Sequence, residues 1–277
     1  MKSKEYRTVQ VIAHIFCILL TLSALMPFVL LIISSFTDNE WASVYGYSYF
    51  PKKWSLEAYR YIAYQWNEIG HAYLMSFVVT GLGTLLSIFI TTTFAYGINN
   101  PQIPGMRILN KALVFTMLFN GGLVATYYSY VNIFHVKNTL SAVLVPTLVM
   151  SAFNVILVRN YYRSSIPESL IEAARIDGAT TFRTFWKVIF PIMKPMHATV
   201  AVITALSVWN DVMTPLVIMS GSGMNTLPLA QMTFQTQFGT NYNLAFASYL
   251  LALLPILIFY IVCQKQILNG VVNGAVK

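Results

Sequence analysis

The chain has 277 residues, of which 57% are hydrophobic and only 9% are charged. A soluble domain carries about 25% charged residues, so the composition excludes an ordinary soluble protein and indicates a membrane protein. The formal net charge is +8, but the basic residues form no clustered stripe or motif, which argues against a nucleic-acid partner.

Six apolar segments could cross a bilayer, since a spanning helix needs about 20 apolar residues. They predict an all-α, polytopic membrane fold in one domain over residues 1–277. The first segment is too long for a signal peptide and lacks a small-residue cleavage site, so we expect it to be retained. The predicted spans are residues 9–36, 71–96, 112–130, 140–158, 198–219 and 244–262.

The placement of Lys and Arg predicts the orientation, because these residues remain preferentially on the cytoplasmic side of a membrane. A cytoplasmic N-terminus puts 13 basic residues inside and leaves four outside, namely Lys52, Lys53, Arg60 and Lys137. Both termini are therefore predicted to be cytoplasmic, in a multi-pass protein surrounded by membrane lipid.

Two outer connections stand out in this topology. Residues 37–70 contain a helical pattern that Ser55 could cap; it fits either an interfacial helix in the aromatic belt or a docking surface for an external partner. Residues 220–243 are uncharged and rich in amide side chains, including Gln231. We expect this second connection to face outward and to form hydrogen bonds with a solute or a partner protein, although a solvated connector is the alternative.

Five residues are candidates for a substrate path through the membrane. Asp211 is the only acid within a predicted span, and such a charge normally faces the bundle interior or a cavity. Trp209 and Asn210 precede it, Asn154 is a polar group in the fourth span, and Tyr127 lies near the outer end of the third span. The alternatives are polar groups that lock helices together and, for Tyr127, an aromatic belt.

The inner loop over residues 163–194 is polar and basic, and apolar segments flank it on both sides. Ser165 is expected to cap a short helix, with Glu168 completing a capping box. Gly178 is expected to end that helix in the left-handed conformation, and Thr180 or Thr181 to begin a second helix. The alternative is an ordinary amphipathic hairpin on the membrane surface.

This loop resembles the EAA loop of the permease subunits of ATP-binding-cassette (ABC) importers. The family pattern falls on Glu172, Ala173, Ala174, Gly178, Val188, Phe190 and Pro191, with Val188 and Phe190 in place of the usual Ile and Leu. The resemblance implies the type I ABC importer permease fold, in which the first short helix is a coupling helix seated in a cleft of a separate ATPase. The implied coupling residues are Glu172, Ala173, Ala174, Arg175, Asp177 and Gly178.

Three further segments resemble carbohydrate permeases. Residues 264–277 are similar to the tail of MalG-like sugar permeases, and Trp209 with Asn210 begins an element of the same family. Residues 119–130 resemble the LplC-like branch, with Ala125 in place of the usual Pro. The resemblance implies oligosaccharide import by alternating access in a bacterial cell membrane. The implied partners are a second homologous permease, a cytoplasmic ATPase dimer and an extracytoplasmic sugar-binding protein.

The sequence gives no sign of catalysis by this chain. It contains no Gly-x-x-x-x-Gly-Lys-Ser/Thr phosphate loop, so ATP and Mg²⁺ are expected on the partner ATPase and no cofactor on this chain. The four His residues are dispersed, and no metal-ligand spacing is present. The remaining alternatives are an ABC permease for another solute, such as a glycerophosphodiester or polyamine, and an independent secondary carrier.

Overall fold

The computed structural model describes residues 4–100, 103–119, 121–219, 225–237 and 242–275, and within them the secondary structure is helical without a strand. The predicted all-α class is confirmed. Two π-helical turns, Ser129–Ile133 and Phe185–Ile189, continue the helices that end at Tyr128 and Thr184. The helices are α1 (Lys4–Ser35), α2 (Asn39–Tyr45), α3 (Glu57–Tyr64), α4 (Trp66–Asn99), α5 (Met106–Leu118), α6 (Gly122–Tyr128), α7 (Leu140–Leu148), α8 (Ala152–Ser165), α9 (Glu168–Ile176), α10 (Thr181–Thr184), α11 (Phe190–Ile192), α12 (Lys194–Trp209), α13 (Met213–Ile218), α14 (Leu227–Gln237) and α15 (Tyr242–Ala275).

The chain divides into two compact units. Unit 1 comprises Met1–Ile69 and Ala230–Pro255, and unit 2 comprises Gly70–Leu229 and Ile256–Lys277. In unit 1, an isolated antiparallel bridge joins Thr37 to Trp54 beyond the end of α1. Hydrogen bonds from the Asp38 amide to the Lys53 carbonyl (3.1 Å) and from the Ser55 amide to the Phe36 carbonyl (2.8 Å) hold this bridge.

Asp38 connects two parts of unit 1 through its carboxylate. Its Oδ1 accepts the Trp41 amide at 3.0 Å and so caps α2, while its Oδ2 lies 3.1 Å from Nζ of Lys53. The Trp41 hydrogen bond, followed by Lys53, lowers the pKa of Asp38 below its usual value, and Asp38 in turn raises the pKa of Lys53. Ser55 Oγ accepts the Glu57 amide at 3.1 Å, but the N-cap residue of α3 is Leu56, which makes no side-chain cap hydrogen bond, so Ser55 lies one residue before the cap position predicted for it.

Unit 2 contains two hydrophobic cores. The first joins the end of α4 to α8, the turn at residues 185–189 and α12; its fully buried members include Ala95, Val155, Ile189 and Val200. The second joins the first turns of α4 to α7 and the end of α13, through Met75, Val79, Ala142, Val143, Ile218 and Met219. The loop at residues 166–192 packs on the first core, and a polar cavity lies beside the second.

Among the residues that the structure describes, three helices are long and apolar enough to cross a membrane: Tyr6–Ser35, Trp66–Asn99 and Asn243–Lys265. They correspond to the first, second and sixth predicted spans. Two bent pairs raise the number to five if each pair is one span: Leu140–Leu148 with Ala152–Ser165, bent by 45°, and Thr181–Ile192 with Lys194–Trp209, bent by 75°.

The other three predicted spans, residues 112–130, 140–158 and 198–219, are interrupted helices in the structure. In the first, α5 ends at Leu118, and Gly122 begins α6 with a left-handed φ of 77°, a conformation that glycine adopts without strain. In the second, Ser151 is extended and caps α8. In the third, α12 ends at Trp209, and α13 starts only at Met213.

Candidate functional site

The hairpin over residues 166–192 follows directly from α8. Ile166 precedes Pro167 and is extended, because proline disfavours a helical conformation in the residue before it. Helix α8 therefore includes Ser165, and α9 begins after Pro167 without a side-chain cap. This corrects the predicted capping box, since Ser165 is the last residue of one helix and not the cap of the next.

The turn between the two helices of the hairpin is a Schellman motif. The amide of Gly178 donates to the Arg175 carbonyl at 3.0 Å, and the amide of Ala179 donates to the Ala174 carbonyl at 2.9 Å. Gly178 has a φ of 75°, the left-handed conformation that this motif requires. Thr180 then caps α10, and its Oγ1 accepts the Arg183 amide at 3.3 Å. Both features agree with the sequence prediction.

Aromatic packing fixes the second half of the hairpin to the body of unit 2. Phe185 and Ile189 are buried in the first core. The ring of Trp186 stacks on Phe89 of α4 with centroids 5.4 Å apart, and the ring of Phe185 lies 5.1 Å from that of Tyr96. The hairpin is therefore held in a defined position by the membrane helices next to it.

The remaining surface of the hairpin is open. In α9, Leu170 and Ile171 pack against the first core, so the opposite face is presented outward. Its exposed residues are Glu172, Ala173, Arg175, Asp177 and Gly178, while Ala174 is half-buried. The predicted coupling residues thus form one contiguous surface at the tip of the hairpin.

Two large apolar side chains complete that surface, and the sequence analysis did not single them out. Ile176 is 85% exposed and Phe182 is 73% exposed, on either side of the Gly178 turn. Phe182 lies in α10, before the π-helical segment, and remains outside the first core. Exposed apolar groups flanked by charges are typical of a protein interface.

A second feature is a cavity of about 330 Å³ in unit 2, bordered by α4, α6, α7, α8, α12 and α13. Eight of its 14 lining residues carry a hydroxyl group. Among them, the hydroxyls of Ser87, Tyr130, Ser207 and Thr214 have no hydrogen-bond partner in the described part of the chain. Pockets for small molecules measure roughly 300–1,000 Å³, so this cavity is large enough for a small polar solute.

The cavity brings together two of the five candidate path residues, Asn154 and Asp211. Asn154 is only 3% exposed, and its Nδ2 donates to Thr204 Oγ1 at 3.2 Å. Its Oδ1 has no hydrogen-bond partner among the described residues. Asp211 is half-buried at the break between α12 and α13, where its Oδ1 accepts the Thr214 amide at 3.1 Å.

The other three candidates lie elsewhere. Trp209 is buried and packs edge-on against Phe77 at 5.1 Å. Asn210 is exposed, and its Nδ2 donates to the Leu206 carbonyl at 2.9 Å. Tyr127 does not line the cavity, whereas its neighbours Thr126 and Tyr130 do.

The spacing of three polar residues in the sequence is consistent with the cavity. Thr204, Ser207 and Asp211 are separated by three and four residues, which is the spacing of one helical face, and all three line the cavity.

The outer connection at residues 220–243 is less open than the sequence predicts. Gln231 was expected to be available to a solute or a partner, but it lies in α14, is buried and donates to the Ser248 carbonyl at 2.8 Å. Residues 220–224 and 238–241 of that connection lie outside the described residues.

Comparison with known proteins gives concordant results. The family described as "Binding-protein-dependent transport system inner membrane component" matches residues 6–270. The polygalacturonan/rhamnogalacturonan transport system permease protein YtcP of Bacillus subtilis is 30% identical over 95% of this chain and 96% of its own. The multiple sugar-binding transport system permease protein MsmG of Streptococcus mutans is 32% identical over 91% of this chain and 92% of its own.

The fold also matches a solved structure. A chain from a bacterial ABC transporter involved in the import of the acidic polysaccharide alginate superposes with a TM-score of 0.82. The match covers 96% of this chain and 98% of that chain, at 26% sequence identity. The helix breaks described above therefore occur within a fold that is shared by a transport protein of known structure.

Proposed function

Because the chain belongs to the family of binding-protein-dependent transport system inner membrane components, we propose that it carries oligosaccharides into the bacterial cytoplasm as one permease subunit of an ABC importer. The sugar assignment is supported by relatives named for the transport of polygalacturonan, rhamnogalacturonan and multiple sugars. Starch degradation products are named for a further relative, AmyC of Thermoanaerobacterium thermosulfurigenes, at 28% identity.

The proposal for energy coupling is based on the exposed tip of the hairpin. Its helix α9 is anchored on one side by Leu170 and Ile171 and open on the other. A rigid, anchored element can transmit a displacement, because a packed core resists continuous deformation. In the proposal the tip seats in a cleft of a separate ATPase, and ATP and Mg²⁺ bind to that ATPase and not to this chain.

The proposed orientation in the membrane is supported by the charge distribution. The basic residues favour a cytoplasmic position for the hairpin and both termini and an outer position for the Asp38–Lys53 region. In this orientation the ATPase dimer contacts the hairpin, and an extracytoplasmic sugar-binding protein delivers the solute to the opposite side. A second, homologous permease completes the membrane part of the transporter.

The substrate path in this subunit is proposed to include the hydroxyl-lined cavity. Sugar hydroxyls both donate and accept hydrogen bonds, and the cavity lining includes hydroxyl groups that have no partner in the described part of the chain. Asp211 adds a second acceptor at the helix break. Trp209, Asn210 and Tyr127 lie outside this lining, so the proposal assigns them no direct contact with sugar there.

Charge reversal at the hairpin tests the coupling proposal. Glu172→Lys changes an exposed residue and should leave membrane insertion intact, while like-charge juxtaposition in a docking cleft costs several kcal/mol. We expect a more than tenfold loss of co-purified ATPase and of sugar uptake. Glu57→Lys makes the same reversal in α3 and serves as the matched control. Equal retention of ATPase by both variants would show that the hairpin is not the docking element.

A further inference from the structure

The hydroxyl-lined cavity has an unbalanced set of charges. Asp211 is its only charged group among the described lining residues, which include no Lys, Arg or His. Its other polar groups are hydroxyls and the Asn154 amide. A negatively charged solute entering this cavity would meet one carboxylate and no counter-charge from these residues.

The unpaired hydrogen-bonding groups of the cavity also favour an uncharged solute. Among the described residues, the buried Oδ1 atom of Asn154 has no hydrogen-bond partner, and leaving such an acceptor unpaired is costly. The hydroxyl groups of a neutral sugar can donate to acceptors of the lining, whereas the carboxylate that replaces one of them in a uronate only accepts hydrogen bonds. Asp211 is likewise an acceptor, and one of its oxygens already receives the Thr214 amide. The cavity therefore has an unmet need for donors.

From these two observations we propose that the cavity admits neutral saccharides and disfavours uronates, so that this subunit discriminates substrates by charge. The inference rests on the proposed function in oligosaccharide import. The solved chain with the same fold belongs to a transporter for an acidic polysaccharide, and the relative YtcP is named for polygalacturonan, whose units are also uronates. A shared fold does not set substrate charge, because selectivity depends on the side chains that line the site.

The expected size of the discrimination follows from Coulomb's law. Two like charges about 8 Å apart, at an effective dielectric constant of about 20, repel by an amount equivalent to roughly 30-fold in an equilibrium. Removal of the Asp211 charge should recover a substantial part of this factor. Asp211→Asn suits the test because asparagine can still accept the Thr214 amide hydrogen bond.

The experiment measures uptake by the complete transporter in liposomes, with ATP and its own binding protein. The substrates are matched pairs, each a uronate oligosaccharide and its methyl ester, which differ in charge. The ratio of uronate to ester uptake is compared between wild type and variant, so that selection by the binding protein cancels. We expect the ratio to rise at least fivefold in Asp211→Asn.

A second variant and a control make the result specific to the cavity. Ser207 is exposed and lines the cavity, so Ser207→Lys should add a cation there without disturbing the fold. This single variant should also raise the ratio of uronate to ester uptake above the wild-type value. Glu68→Gln removes an exposed carboxylate outside the cavity and should leave the ratio unchanged. An unchanged ratio in both cavity variants, with uptake intact, would overturn the charge inference alone. Uptake of neither member of any pair by the wild-type transporter would remove the saccharide function and the inference with it.

Discussion

The close approach of α4 and α7 beside the cavity makes Gly83 sensitive to one added methyl group. A Cβ atom on Gly83 would lie 2.8 Å from Oγ1 of Thr147 and 3.1 Å from its Cβ. Rotation of the Thr147 side chain cannot relieve the second contact, because Cβ does not move with that rotation. Gly83→Ala must therefore push the two helices apart or strain them locally.

The neighbouring Gly81 provides the reference for the size of this effect. A Cβ atom there would have no neighbour within 4 Å, and both residues lie within α4. Replacement of a helical glycine by alanine gains about 0.8–1.0 kcal/mol at either position, while overpacking costs about 1–3 kcal/mol at Gly83 alone. Gly83→Ala should therefore be about 1–3 kcal/mol less stable than Gly81→Ala.

The assay is equilibrium unfolding of the two variants in detergent, compared with wild type. Gly81→Ala should unfold at a higher midpoint than wild type and Gly83→Ala at a lower midpoint than Gly81→Ala. Thr147→Ala removes the atom at 2.8 Å and should recover part of the loss when it is combined with Gly83→Ala. Equal stability of the two glycine variants would refute the close contact on which the reasoning depends.

The turn at Gly178 and the ion pair at Asp38 yield two further predictions. Gly178→Pro should abolish ATPase co-purification, because proline forbids a φ of 75° and lacks the amide that donates to the Arg175 carbonyl. In the control variant Gly178→Ala, the added Cβ meets no atom within 4 Å. This variant should lose only about 1–2 kcal/mol of local stability and should still bind part of the ATPase. The pKa of Asp38 is lowered in the folded state, so its contribution to stability should be complete above pH 3.8 and lost as pH falls through the lower folded value. Unfolding midpoints measured from pH 6 down to pH 3 should show this loss in wild type and a weaker dependence in Asp38→Asn; the same slope in both would contradict it.

The hairpin was predictable because its main signals are local. Gly178 and Thr180 define a turn and a cap through their own backbone and side-chain chemistry, and the structure shows both. The capping box at Ser165 failed for an equally local reason, since Pro167 restricts Ile166 and moves the helix boundary. The exposure of Ile176 and Phe182 could not be read from spacing, because spacing shows which residues share a helical face and not which tertiary contacts cover that face.

The cavity was only partly predictable because it depends on tertiary contacts. Asp211 and Asn154 were found from the rarity of polar groups in apolar segments, and both line the cavity. Tyr127 was a candidate because it lies near the outer end of the third predicted span, but Tyr130 is the tyrosine that lines the cavity. The difference arises because the π-helical turn that follows α6 changes which residues face inward, and sequence periodicity assumes a regular helix.

The helix breaks explain why the polar residues of the cavity are tolerated in apolar segments. Backbone that is not helical at membrane depth requires other hydrogen-bond partners, and it occurs where it is buried or lines a cavity. The breaks after α7 and after α12 both border the cavity, through Val149, Ser151 and Asp211. At each break a polar side chain accepts a backbone amide of the next helix, Ser151 from Asn154 and Asp211 from Thr214. The same two side chains therefore stabilise the interrupted helices and make the space between them polar, so a continuous apolar helix in either segment would remove the cavity together with the break.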